Sequence, residues 1–281
     1  MKLLLLACLL GCSAAAIAAP TEPEPGPDAT WGHGARRFSI ATGSPGETGL
    51  LERLASEFAY QNDARISWYR AGTGEALQLL KQRKVDMVLA HSPDAEQQAV
   101  AEGWATGRAL IGSNEFWIVG PKDDPAGIAS ATSAADALRR IHEAGAPFVS
   151  RGDQSGTHQR EMALWSAAGI SPGGSGYIVT RSSMGDSLQR ANATGAYFLT
   201  DSSSFIVQRN AVSGLKVLHR GGKELANPYH LLYAAPPTPG TEAARQFGAF
   251  ILSGRGQELM GKFGNGRYGE PLYRNAAGTL K

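Results

Sequence analysis

The chain has 281 residues, of which 42% are hydrophobic and 19% charged, and its formal net charge is +2. That apolar fraction excludes a disordered chain and suffices for one large domain or two lobes, while the near-neutral balance excludes a strongly basic face for nucleic acid. Beyond the first residues no apolar run is long enough to span a bilayer, and no repeat period points to a propeller or solenoid. What remains is an α/β or α+β protein for a small ligand.

Met1-Lys2, the apolar stretch Leu3 to Leu10 and the small residues up to Ala18-Ala19 predict a secretory signal peptide over residues 1–18. Leu9-Leu10-Gly11-Cys12 also resembles a lipoprotein box, in which Cys12 would carry a lipid. Cys8 and Cys12 are the only cysteines, so neither address allows an internal disulfide, which suits an exported protein of the bacterial periplasm. Residues 19–36 are rich in proline and glycine at their start and read as a flexible leader.

Arg37 to Ala41 then predicts a strand, stopped by Thr42-Gly43-Ser44-Pro45-Gly46. Leu50, Leu51, Leu54 and Phe58 share one helical face. Ile66 to Arg70 repeats the strand signal, Ala71-Gly72-Thr73-Gly74 turns, and Glu75 to Lys81 is helical. Val85 to Ala90 is apolar on both sides, as a buried parallel strand should be. Phe116 to Pro121 leads out of this block. A helix at 134–143, a strand at 147–150, a polar turn at 151–157 and a helix at 158–168 follow. A further strand is predicted at 196–200 and, after Leu215-Lys216-Val217-Leu218 and Asn227-Pro228-Tyr229, another at 231–235, then helices at 241–253 and 256–263. The recurring strand, glycine turn and helix predict mostly parallel sheets with the turns gathered at the strands' carboxyl ends. Two α/β lobes result: residues 37–118 and 225–281 form the first and 119–224 the second, with crossings near 115–122 and 222–230.

The turn Arg151-Gly152-Asp153-Gln154-Ser155-Gly156-Thr157 follows a strand and opens a helix. Free amides and a positive dipole end make such a place an anion site; Arg151 adds a planar fork of donors, Ser155 and Thr157 add hydroxyls. Capping with an Arg151–Asp153 pair would explain part of the pattern but not all of it. Thr42-Gly43-Ser44 and Gly72-Thr73-Gly74 hold the same place in their units, so three donor-rich turns can converge on one ligand. Asp153 can either face the cleft or turn back onto Arg151. Catalytic readings lack support: the serine run has neither the protease nor the G-x-S-x-G spacing, and His91, His158 and His230 read as polar or capping residues. No zinc spacing, dinucleotide loop or Walker lysine occurs, so no metal or cofactor is expected.

Phe148-Val149-Ser150-Arg151-Gly152-Asp153-Gln154-Ser155-Gly156-Thr157-His158, with Glu161, Leu164-Trp165 and Ala168-Gly169-Ile170, closely resembles the signature of the periplasmic tungstate-binding proteins of ABC transporters. Gly72 to Leu77, Ile118 to Pro121, Asp124 to Ile128, Met184-Gly185, Leu199-Thr200-Asp201 and Asn227-Pro228-Tyr229 extend the likeness in order. The resemblance implies a type II periplasmic binding protein whose lobes close on an oxyanion, tungstate or molybdate, with Arg151, Thr157, Ser155, Thr42 and Ser44 as ligands. Thr73 joins them from the turn reading. A non-enzymatic monomer that hands its anion to a membrane permease is implied, with no nucleic acid partner. Two departures stand out: Ala41-Thr42-Gly43-Ser44 replaces a run usually Thr-Thr-Thr-Ser, and Ser202 stands where arginine is common. Phosphate capture on the same fold is the nearest alternative, and an exported phosphatase or esterase built on Ser155 the next.

Overall fold

Short runs of β-branched and aromatic residues, broken by glycine-rich turns, build two sheets that share one long strand. The computed structural model describes residues 26–279. The predicted signal peptide, the Cys12 lipid site and the start of the leader lie outside the described residues. The strands are β1 (Ala29–Trp31), β2 (Arg36–Thr42), β3 (Ala64–Arg70), β4 (Met87–Ala90), β5 (Ala105–Pro121), β6 (Phe148–Ser150), β7 (Tyr177–Val179), β8 (Tyr197–Asp201), β9 (Leu215–His219), β10 (Ala226–Ala234) and β11 (Arg274–Asn275). Between them run α1 (Ser44–Glu47), α2 (Leu50–Asn62), α3 (Thr73–Lys81), α4 (Pro93–Ala101), α5 (Ala134–Glu143), α6 (Gly156–Ala167), α7 (Met184–Thr194) and α8 (Ser202–Gln208). The C-terminal part adds α9 (Thr241–Leu252), α10 (Gly254–Lys262), α11 (Asn265–Tyr268) and α12 (Ala276–Thr279). Among the described residues no helix is long and apolar enough to cross a membrane.

Each lobe has a parallel core. In the first, β3, β2 and β4 run parallel, with Arg36 opposite Ala64 and Ile40 opposite Met87, and antiparallel β1 and β10 border them. In the second, β7, β6 and β8 run parallel and antiparallel β5 borders β8. β5 pairs with β10 as far as Glu115 and with β8 from Phe116 onward, so the chain changes lobes inside a single strand. It returns between β9, which also pairs with β5, and β10. The result is the two-lobed α/β fold that the alternation of strands and helices predicts, with the polar turns at the carboxyl ends of β2, β3, β4 and β6.

Alternation along β5 shows how the second sheet is clothed. Phe116 and Ile118 pack with Leu138, Phe148, Trp165 and Tyr197 under α5 and α6. Trp117 and Val119 point to the other face, among Leu188, Phe198 and Phe205 of the β8–α7–α8 side. In the first lobe, β2 places Phe38 against Phe58 of α2 and Phe247 of α9, with ring centroids 6.4 and 5.4 Å away. The opposite face holds Leu77, Leu80 and Val88 under α3 and α4.

Three differences from the sequence expectation have physical causes. Ala29–Trp31, inside the stretch read as leader, adds to the sheet as β1, with Trp31 stacked 6.1 Å from Trp68. The first half of β5 carries two glycines and an arginine instead of an alternating pattern; its partner β10 fixes it as strand. Helices α4, α7 and α8 have short apolar faces, such as Met184, Leu188 and Ala191 of α7, and leave little periodic signal.

Phe247 is fully buried and touches the rings of Phe38, Phe58 and Phe250. Phe247→Ala is expected to destabilise the protein by about 3–5 kcal/mol, the loss of transfer energy plus a cavity. Urea unfolding midpoints of the two proteins measure it, and a loss below about 1 kcal/mol would show that the cluster collapses to fill the gap.

Candidate functional site

Two helix N-termini meet across the lobes. In α3 the cap position is Gly72, which has no side chain to accept the first amides. In α6 the cap is Ser155, whose Oγ accepts the His158 N–H at 3.3 Å and leaves the amides of Gly156 and Thr157 without an intrahelical carbonyl. A Cβ on Gly72 would stand 3.1 Å from the Ser155 Cβ, and one on Gly74 only 2.6 Å from the Gln154 carbonyl oxygen. The lobes are therefore closed on one another here, and only glycine allows it. Both helix ends carry partial positive charge, so their juxtaposition favours an anion between them.

The turn before α6 is shaped by Gly152 and Gln154, both in the left-handed region at φ of +60° and +59°. It folds Asp153 back: Oδ2 pairs with Arg151 Nη2 at 2.5 Å and Oδ1 accepts the Ser155 N–H at 3.1 Å. The guanidinium is thus fixed by its far end, while Arg151 Nε is buried with no hydrogen-bond partner. The cap and the ion pair foreseen as the plain explanation both exist, and they leave donors over.

The six residues singled out from the sequence divide into two groups. Thr73 Oγ1 accepts the His91 N–H at 3.3 Å, Ser155 Oγ accepts from His158, and Thr157 is buried with no partner for its hydroxyl among the described residues. Each keeps its own proton to donate, as does Arg151 at Nε. Thr42 and Ser44 differ. Thr42 Oγ1 donates to the Leu89 carbonyl at 3.0 Å and Ser44 Oγ to Asp201 Oδ2 at 3.0 Å, so the single proton of each is already directed inside the protein.

Sequence reasoning did not single out the polar chain behind this junction. Asp201 is completely buried at the end of β8 and accepts from Ser44, Ser203, both groups of Ser204, and Asn114 Nδ2 at 3.2 Å. Asn114 Oδ1 accepts from Asn227 Nδ2 at 2.6 Å, and Asn227 Oδ1 faces His91 Nδ1 at 2.9 Å. Asn114 and Asn227 sit on β5 and β10, the two crossing strands. Thr200-Asp201 and Asn227-Pro228-Tyr229 were visible as a likeness, but nothing local in them signals a shared network.

Further along α6, Glu161 is buried and its Oε1 accepts the Tyr177 hydroxyl at 2.5 Å. Burial pushes its carboxyl up to about 7, against hydrogen bonding that pulls it down. At the cleft edge, burial likewise raises the Glu47 carboxyl, opposed by the charge of Arg151.

A two-lobed fold closing donor-rich turns around a small site defines a solute-binding protein class. Residues 27–255 match the PBP superfamily domain, and the chain belongs to that superfamily. It is 34% identical over 281 residues to the tungstate-binding protein TupA of Peptoclostridium acidaminophilum, covering 98% of this chain and 96% of that one. Among solved structures, the tungstate ABC transporter protein of Geobacter sulfurreducens superposes with a TM-score of 0.74 at 34% identity, over 82% of this chain and 100% of its own. The tungstate-binding protein TupA of Desulfovibrio alaskensis G20 gives 0.71 at 33% identity, over 86% and 99%.

Two expectations follow. Gly74→Ala should leave the fold intact, since alanine is the better helix former, yet its methyl would press on the Gln154 carbonyl and hold the lobes apart. Small-angle scattering should give a larger radius of gyration than the parent under closing conditions; an unchanged radius would mean the turn yields instead. Glu161 has a folded-state pKa raised from the usual 4.5 to about 7, so the stability it contributes is complete below 4.5 and is lost as pH rises through 7. Between about pH 5 and 8 the parent should lose up to roughly 3 kcal/mol that Glu161→Gln does not lose, read from urea midpoints.

Proposed function

We propose that the chain is an extracytoplasmic solute-binding protein that captures tungstate, or molybdate, between its lobes and delivers it to an ABC permease. The observation that carries this reading is the set of unengaged donors at the junction of α3 and α6: Arg151 Nε and the hydroxyls of Thr73, Ser155 and Thr157. Tungstate and molybdate carry no proton at neutral pH and need donors only, whereas hydrogen phosphate gains from a carboxylate acceptor. With both oxygens of Asp153 turned onto Arg151 and Ser155, the cage favours the unprotonated anions. The names of the relatives point the same way. Thr42 and Ser44 support the walls of the cleft through Leu89 and Asp201, and a ligand role for them would require those bonds to exchange.

Closure belongs to the same reading. Hinges at 115–122 and 222–230, with lobes of 37–118 plus 225–281 and of 119–224, let the lobes rotate, and the closed form marks the loaded state for the permease. Binding is favoured over catalysis because Ser155 Oγ has no side-chain base on it: the His158 ring instead accepts the Gln154 N–H at 3.1 Å through Nδ1. A signal peptide at 1–18 and action as a periplasmic monomer complete the reading.

Calorimetry with tungstate, molybdate, sulfate and phosphate tests it. Tungstate should bind far more tightly than phosphate at pH 7. Arg151→Ala should weaken tungstate binding by about 2–4 kcal/mol, and Arg151→Lys should recover only part, because an ammonium cannot reproduce the guanidinium fork. Normal binding by Arg151→Ala would remove this residue from the site.

A further inference from the structure

The polar chain that ends on His91 has a direction. Asp201, as a carboxylate, only accepts, so the Asn114 amide must present Nδ2 to it and Oδ1 to Asn227. Asn227 then presents Nδ2 to Asn114 and to the Tyr229 hydroxyl, and its Oδ1 to His91. An amide oxygen cannot donate. His91 Nδ1 therefore carries the hydrogen, and in the neutral ring Nε2 holds the lone pair.

Nε2 has no hydrogen-bond partner among the described residues, and its surroundings are the binding junction itself. A Cβ on Gly156 would stand 2.8 Å from it, at the first residue of α6. The backbone N–H of the same histidine reaches Thr73 Oγ1, at the first residue of α3. Tyr229 stacks on the ring at 4.8 Å and Phe116 lies 6.1 Å away, so the ring is fixed in place. One lone-pair nitrogen thus stands beside the Thr73 and Ser155 hydroxyls, whose own protons are unengaged, and the first amides of α6.

Resting on the oxyanion reading above, we propose that His91 takes up a proton at Nε2 when the anion enters, so that a lone-pair nitrogen at the junction becomes a further donor and anion affinity rises as pH falls. The proton comes from the solvent buffer; an N–H bond forms at Nε2 and the Nδ1–H stays on Asn227. Charges reach the ring from each side. Asp201 at the end of β8 and Glu96 of α4 favour the cation, while burial and Arg151 before α6 hold the ring neutral and its pKa below the usual histidine value. Arg160 of α6 lies over the Phe116 ring at 6.0 Å. A dianion at the junction reverses that balance. The sign follows: affinity is greatest below the empty protein's histidine value and falls, by up to about tenfold per pH unit, until pH passes the value in the complex.

Calorimetric titration of the full chain with sodium tungstate between about pH 6.5 and 8.5, repeated in buffers of different ionisation enthalpy, reads this directly. The expected result is uptake approaching about one proton per anion, with affinity falling as pH rises. His91→Gln should bind tungstate without uptake, whereas His158→Gln and Glu161→Gln, which remove the other titrating groups of α6, should keep it. Should His91→Gln fail to fold, uptake that persists in the double His158→Gln/Glu161→Gln protein carries the assignment. Tight binding with no uptake and no pH dependence would overturn the linkage and leave the anion site standing, as would uptake lost in either α6 variant. No tungstate binding at any pH would overturn the anion site, and the linkage with it.

Discussion

Hydrogen-bond donors outnumber acceptors where α3 and α6 meet, and much of the molecule is arranged around that imbalance. Two helix N-termini point their amides at the same place, one of them capped by a glycine that offers no acceptor. Arg151 adds a buried Nε without a partner, while Asp153, the nearest carboxylate, is turned away to hold the far side of the guanidinium. A buried donor without an acceptor costs about 1–3 kcal/mol, and charged donors cost more. An oxyanion held there would supply acceptors to all of them.

The two crossing strands tie the sheets together beside that junction. β5 carries the chain from one sheet to the other within a continuous strand, and β10 runs beside it on the return. Asn114 and Asn227 join these strands by their side chains, and Asp201 gathers Ser44 from the first lobe, Asn114 from the crossing and Ser203 and Ser204 from the second. Glycine at positions 72, 74 and 156 lets backbone meet backbone and ring at the mouth, where any side chain would act as a wedge.

Much of this was legible in the sequence because it rests on local chemistry. The run Arg151 to Thr157 reads as a strand-to-helix turn with donors, and the structure places it there. Val85 to Ala90, which holds the parallel strand Met87–Ala90, announces itself by being apolar on both sides, and Phe148 to Ser150 by the polar turn that ends it. What escaped depends on partners remote in the chain. Ala105–Glu115 is strand because β10 lies beside it, and Ala29–Trp31 because Trp68 offers Trp31 a stacking face. His91, read as an ordinary polar residue, gains its meaning from Asn227 and Gly156, 136 residues away in the first case. The hydroxyls of Thr42 and Ser44 look free in the sequence; Leu89 and Asp201, which accept their protons, are visible only in the fold.

The central claim is that the anion sits where donors are unengaged. A crystal structure of the tungstate complex, with the metal located by its anomalous scattering, tests that most directly. Tungsten should lie between the first turns of α3 and α6, within hydrogen-bonding reach of Arg151 Nε and of the hydroxyls of Thr73, Ser155 and Thr157, with the Asp153 carboxylate still turned onto Arg151. Tungsten bound elsewhere, or an Asp153 carboxylate facing the anion, would contradict the account.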